Sequence, residues 1–150
     1  MLLIETKDDI IPVIEQMLDR NPPVTGNYVL FQMTDSINRT FHKGVTFDNP
    51  QEFFISFGAI VVSMLKDKKG FDIGTFADFL LRKHSAYGSA PILRWGVLGV
   101  FIRIDSKVVR IANLTQQLRD EECGESIHDT LLDLLGYCVL GYQLVTKQGV

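Results

Sequence analysis

Residues 125–145 read ESIHDTLLDLLGYCVLGYQLV, and they form the longest apolar-periodic run of the chain. Three acids, Glu125, Asp129 and Asp133, recur every fourth residue, so they share an arc of about 80° on a helix with roughly 100° per residue. The stripe that they begin becomes apolar at Leu140. A helix that is apolar nearly all round is normally buried, so we expect these acids to point inward. Because an unpaired buried charge is costly, they require a metal ion or positive side chains.

The composition is that of one globular domain spanning residues 1–150, with 46% hydrophobic and 22% charged residues. The net charge of −3 argues against sequence-independent nucleic-acid binding, which depends on excess Lys and Arg. No stretch approaches the roughly 18 uncharged apolar residues of a membrane span, and the apolar residues 1–5 are too few for a signal peptide. We therefore expect a cytoplasmic protein without membrane or nucleic-acid partners.

Helical periodicity dominates the rest of the chain, and few stretches alternate as strands do. Further helices are predicted at residues 7–20, 53–66, 75–84 and from about 100 to 119. Asn49 and Pro50 suit the start of the second of these. Residues 26–34 are compatible with a short strand or with another helix. The expected fold is therefore all-α, a helical bundle with at most a short strand or irregular segment near its N-terminus.

Two connections and two packing positions are also predicted. Glycine and proline in SAYGSAP indicate a loop at residues 85–91. The charged residues 119–124 are expected to form a turn before the final helix. Phe79 is expected to face the core, and Cys138 is expected to be a small core residue.

The acids of the final run are the first candidates for chemistry. A structural interpretation places acids at a helix N-terminus, where each is favoured by about 0.3–1 kcal/mol. That effect fades within one turn, so it explains Asp129 less well and Asp133 hardly at all. Oxygen ligands at positions i and i+4 suit Mg²⁺, which often binds one or two carboxylates together with substrate phosphates.

Two positive clusters precede these acids. Lys83, His84 and Tyr87, followed by glycine, are typical of a helix end, or else Lys83 pairs with a phosphate oxygen while Tyr87 stacks on a base. The second cluster has three basic residues and one acid: Arg103, Asp105, Lys107 and Arg110. It is either a solvated helix face with i,i+4 pairs, the counter-charge of the inward acids, or a phosphate clamp with bidentate arginines. No serine or cysteine partner for a histidine is visible, and no phosphate-binding glycine loop occurs.

Taken in order, the clusters resemble the nucleotide-modification-associated domain family, which is common in phages. The resemblance covers residues 75–145, with residues 125–134, ESIHDTLLDL, as its most specific part. It is carried by Lys83-His84, Tyr87-Gly88, Gly99, Arg103, Asp105-Ser106-Lys107, Arg110, the segment at 125–134 and Tyr137. That family is similar to phage dATP/dGTP diphosphohydrolases and, more distantly, to MazG-like all-α nucleotide pyrophosphohydrolases. A helical N-terminal part, residues 1–70, lies outside the resemblance.

The resemblance implies a homo-oligomeric, Mg²⁺-dependent nucleoside triphosphate pyrophosphohydrolase that acts on purine deoxynucleotides. Carried over by position, Glu125 and Asp129 are metal ligands, and Asp133 has a catalytic role. Asp105, the only acid with an inward position on the preceding helix, is the other catalytic candidate. The residues expected to contact substrate are Lys83, His84, Tyr87, Arg103, Lys107 and Arg110.

Two alternatives stay open. The first is a phage counter-defence protein that binds and sequesters a nucleotide or cyclic nucleotide without cleaving it. The second is a structural or interaction domain in which the basic and acidic stripes neutralise each other. A phage-encoded chain would act in the host cytoplasm in either enzymatic or binding form.

Overall fold

The computed structural model describes residues 2–20, 30, 32–35, 38, 49–66, 71–117 and 120–148, leaving aside the side chains of residues 116–126. A short 3-10 helix, Lys7–Asp9, precedes the longer helices α1 (Ile11–Arg20), α2 (Pro50–Lys66), α3 (Ile73–Tyr87), α4 (Ala90–Gln117) and α5 (Asp120–Gln148). These residues contain no strand, and Leu30 with residues 32–35 is helical. The prediction of an all-α helical bundle is confirmed. Most of residues 26–34, where a strand remained open, lies outside the described residues.

The final helix, α5, is the centre of the bundle. It packs against both α2 and α4, while α1 packs on α2. Leu134 and Cys138 are fully buried in this core, and burial raises the pKa of the Cys138 thiol. A side-chain carbon at Gly141 would lie 2.5 Å from two atoms of the Phe54 ring. Glycine at this position therefore lets α2 and α5 approach closely.

Local capping sets the starts of α2 and α3. Asn49 Oδ1 accepts from the Glu52 N–H at 3.1 Å, as the predicted start of α2 requires. Asp72 caps α3 by accepting from the Thr75 N–H at 2.9 Å, so this helix begins before residue 75. The expected loop at 85–91 is reduced to Gly88 and Ser89. The predicted turn at 119–124 is wrong, because α5 begins at Asp120 and acids suit the first turn of a helix.

The long helix α4 is interrupted at Gly96, where φ is 63° and ψ is −152°. This left-handed φ strongly favours glycine. The predicted start at about residue 100 is wrong, because α4 begins at Ala90 and continues past the interruption. Beyond it, Ile104 and Val108 are buried. The outer face of α4 carries four exposed apolar side chains, Trp95, Leu98, Ile102 and Val109. No described helix is both long and apolar enough to cross a membrane.

The N-terminal segment is bound to the last turns of α5. Lys147 Nζ donates to the Leu3 carbonyl oxygen at 2.8 Å and to Asp9 Oδ1 at 3.2 Å. Gln143 Nε2 donates to the Asp9 carbonyl oxygen at 2.7 Å. The side chains of Leu3 and Ile4 are buried. These contacts make the N-terminal segment part of the core rather than a free arm.

Candidate functional site

A cavity of about 390 Å³ opens between α3, α4 and α5. Its apolar wall consists of Leu80, Ile92, Leu132, Gly136 and Leu140. Phe79 and Tyr87 also line it, and Tyr87 is 73% exposed. The prediction that Phe79 faces the core is wrong: Phe79 is 41% exposed, because it lies one turn before Lys83 on the side of α3 that borders the cavity. The volume and the apolar lining with few polar groups are those of a small-molecule site.

Asp133 joins the three helices that surround the cavity. Its Oδ1 accepts from Lys83 Nζ of α3 at 3.1 Å, and its Oδ2 accepts from Lys107 Nζ of α4 at 3.0 Å. The three side chains are between a quarter and a half exposed, so solvent screens the pairs and each contributes little to stability. The cluster therefore mainly fixes the positions of two ammonium groups beside the cavity.

The cavity border carries excess positive charge. Arg103 lines the cavity with its guanidinium 5.9 Å from the centre of the Tyr137 ring, and Lys83 Nζ lies 5.7 Å from the centre of the Phe79 ring. The three positive charges of Lys83, Lys107 and Arg103 exceed the single negative charge of Asp133 by two. Cations near aromatic faces, beside an apolar wall, favour a ligand with an anionic group and an aromatic ring.

His84 lines the same cavity, but its ring is hydrogen-bonded to Ser89. Its Nε2 lies 2.6 Å from Ser89 Oγ, which accepts from the Leu3 N–H at 2.7 Å. Burial lowers the pKa of His84, so the neutral ring is favoured. Ser89 is a partner that sequence reasoning missed. The only signal in the sequence was the glycine at position 88. In the structure, Gly88 has a φ of 74° and turns the chain back towards α3 directly after the helix ends.

Several predicted site residues lie elsewhere. Asp129 and Arg110 are exposed and Asp105 is half-buried, and none of the three lines the cavity. The side chain of Glu125 lies outside the described residues. Of the acid row that was expected to point inward, Asp133 does so and Asp129 does not. The two acids are separated by about 40° and one helical turn, which is enough to move Asp129 to the surface.

The described residues do not form a ready Mg²⁺ site. They contain no cluster of three His, Cys, Asp or Glu side chains that could hold a metal ion. Both oxygens of Asp133 already accept from ammonium groups. Mg²⁺ requires near-octahedral oxygen coordination, so Asp133 would have to release its lysines before it could bind one.

Comparisons with models of known protein families, with curated proteins and with solved structures gave no match. The resemblance to nucleotide-handling families therefore stays a prediction. The cavity brings together the groups that could bind a ligand: Lys83, Tyr87 and Arg103 border it, Asp133 lines it, and Lys107 pairs with Asp133.

Proposed function

We propose that the cavity binds a phosphorylated nucleoside and does not require a metal ion to do so. The observation that carries the proposal is the excess of two positive charges beside an apolar cavity with aromatic groups. The proposal corresponds to the nucleotide-sequestering alternative, in which the base would stack on Tyr87 or Tyr137. The phosphate would accept from Lys83 and Arg103, since charge-assisted hydrogen bonds are the stronger kind. The cytoplasm, where such ligands are free, is the proposed location.

Hydrolysis is the second candidate, because Asp133 lies beside the cations that would hold a triphosphate. In that case Mg²⁺ would bind Asp133 together with Asp129 or Glu125 and would polarise the phosphoryl oxygens. Arg103 and Lys107 would then stabilise the developing negative charge. This function requires Asp133 to exchange two lysines for a metal ion, whereas simple binding does not.

The test is calorimetric titration with adenosine and deoxyadenosine mono- and triphosphates, in EDTA and in Mg²⁺, with chromatography of the products. We expect binding in EDTA and recovery of intact ligand. Monophosphate and pyrophosphate released only in Mg²⁺ would favour hydrolysis instead. Absence of binding by every nucleotide in both buffers would remove the binding and hydrolytic functions alike.

Lys83→Gln is expected to weaken nucleotide binding by about tenfold or more, because a lost charge-assisted contact is worth at least about 1.4 kcal/mol. The matched control is Arg82→Gln, which removes the same charge from the neighbouring exposed position of α3. Arg82 does not line the cavity, so the nucleotide dissociation constant of Arg82→Gln should stay within about twofold of the wild-type value. Equal losses in both variants would show that only general electrostatics is involved.

A further inference from the structure

We propose that Asp133 is an internal competitor that lowers the affinity of the cavity for anionic ligands. The inference rests on the proposed function, since it concerns how tightly the cavity holds the anionic group of its ligand. Asp133 occupies Lys83 and Lys107 at 3.1 and 3.0 Å. An incoming anion reaches these ammonium groups only by sharing them with this carboxylate or by displacing it.

The two lysines differ in accessibility. The side chain of Lys83 is 45% exposed and lines the cavity, whereas that of Lys107 is 29% exposed and does not. Lys83 is therefore the cation that exchanges partners, and Lys107 is the one that retains the Asp133 carboxylate. The arrangement allows the ligand to take Lys83 without leaving Asp133 unpaired.

Competition affects every anion that must take Lys83 from Asp133. A tethered group competes at an effective concentration that can reach the millimolar range or above, and it lowers the apparent affinity of each displacing anion by the same factor. A phosphomonoester carries about −1.5 to −2 charges at neutral pH and offers three strong acceptor oxygens, so it should bind more tightly than a carboxylate with or without Asp133. Asp133 should thus weaken the binding of both anions on the same nucleoside.

The test compares the wild type with Asp133→Asn, using calorimetry with adenosine, adenosine 5′-carboxylate and adenosine 5′-monophosphate. Asparagine keeps the shape and removes the charge. We expect Asp133→Asn to bind both anions more tightly by a similar factor of about two- to fivefold, with adenosine unchanged. Asp129→Asn removes an equal charge one turn earlier on α5, so general electrostatics alone predicts the same gain there; we expect a clearly smaller one.

Weaker or unchanged anion binding by Asp133→Asn overturns the inference, because it would mean that Asp133 positions the lysines for the ligand or binds a metal. An equal gain in Asp129→Asn overturns it as well. If the wild type binds the monophosphate and Asp133→Asn binds it no more tightly, competition by Asp133 is wrong while the proposed function stands. If neither protein binds any adenosine compound, the proposed function has failed and the inference fails with it.

Lys107→Gln supplies a second test that is independent of the folding of Asp133→Asn. It leaves Asp133 with Lys83 as its only described ammonium partner, so the carboxylate should compete more strongly and monophosphate binding should weaken several-fold. Arg82→Gln again controls for the lost charge. Binding by Lys107→Gln that equals binding by Arg82→Gln would contradict the competition.

Discussion

His84 illustrates how one buried residue makes stability depend on pH. Burial lowers its pKa in the folded protein, whereas the unfolded chain has a pKa of about 6.5. Above that value neither state binds the proton and the full stability is present. As the pH falls below about 6.5, the unfolded state takes up a proton that the folded state resists, so the free energy of unfolding decreases.

We therefore expect the wild type to be less stable at pH 5.5 than at pH 7.5 in urea unfolding monitored by circular dichroism. His84→Gln should reduce this difference, because the amide can still bond Ser89 Oγ and does not titrate. His128 is half-buried on α5, and His128→Gln serves as the control. An identical pH dependence in the wild type and His84→Gln would contradict the role of burial at His84.

The close contact between α2 and α5 at Gly141 predicts how a larger side chain there would affect stability. A Cβ at Gly141 would lie 2.5 Å from the Phe54 ring, and a buried ring cannot move aside freely. Gly141→Ala is therefore expected to destabilise the protein by about 1–3 kcal/mol through overpacking, measured by urea unfolding. Gly74→Ala, whose Cβ would meet only Asp72 Oδ2 at 3.4 Å, should be neutral or stabilise by up to about 1 kcal/mol. Equal effects of both would mean that helix propensity, rather than contact, dominates.

Local signals predicted some helix boundaries and missed others. α1 ends at Arg20 and α2 at Lys66, as predicted, whereas α3 and α4 begin before the predicted residues 75 and 100. Asn49 and Pro50 define the start of α2 through a cap that depends only on adjacent residues. The turn expected at residues 119–124 failed because charged residues suit a helix N-terminus as well as a turn. The 85–91 loop was overextended because one glycine, Gly88, makes the whole reversal. Charge and glycine content alone do not give the length of a connection.

For the molecule as a whole, the resemblance predicted that Lys83, Arg103 and Lys107 face one ligand, but nothing in the sequence predicted that Asp105, Arg110 and Asp129 lie outside the cavity. Lys83 and Lys107 meet at Asp133, where side chains of α3 and α4 reach the same carboxylate of α5. Asp129 is exposed although the next residue, Thr130, is buried, so its exposure depends on which side of α5 the neighbouring helices cover, and no local pattern encodes this. The hydrogen bond between His84 and Ser89 could not be predicted either. It depends on the turn between α3 and α4 and on the position of Leu3, whose N–H donates to Ser89.

The homo-oligomer implied by the resemblance stays a prediction and is tested on the whole molecule. Sedimentation equilibrium across a range of protein concentrations should give a mass that is a multiple of 16.9 kDa. Trp95→Ser and Ile102→Ser, on the exposed apolar face of α4, would report whether this face holds the copies together, since large exposed apolar patches mark interaction sites. A single species of monomer mass at all concentrations would contradict the prediction.

The central place of α5 has a consequence for biosynthesis. α2 packs on α1, which precedes it, and on α5, which follows it. The part of the α2 surface that α5 covers stays exposed until roughly 80 more residues, from Lys66 to Gln148, have been translated. At about 5–20 residues per second, this interval lasts on the order of 4 to 16 seconds. During that time a nascent chain would expose phenylalanine-rich helix to the cell, so slowing the ribosome beyond α2 should increase chaperone association and aggregation.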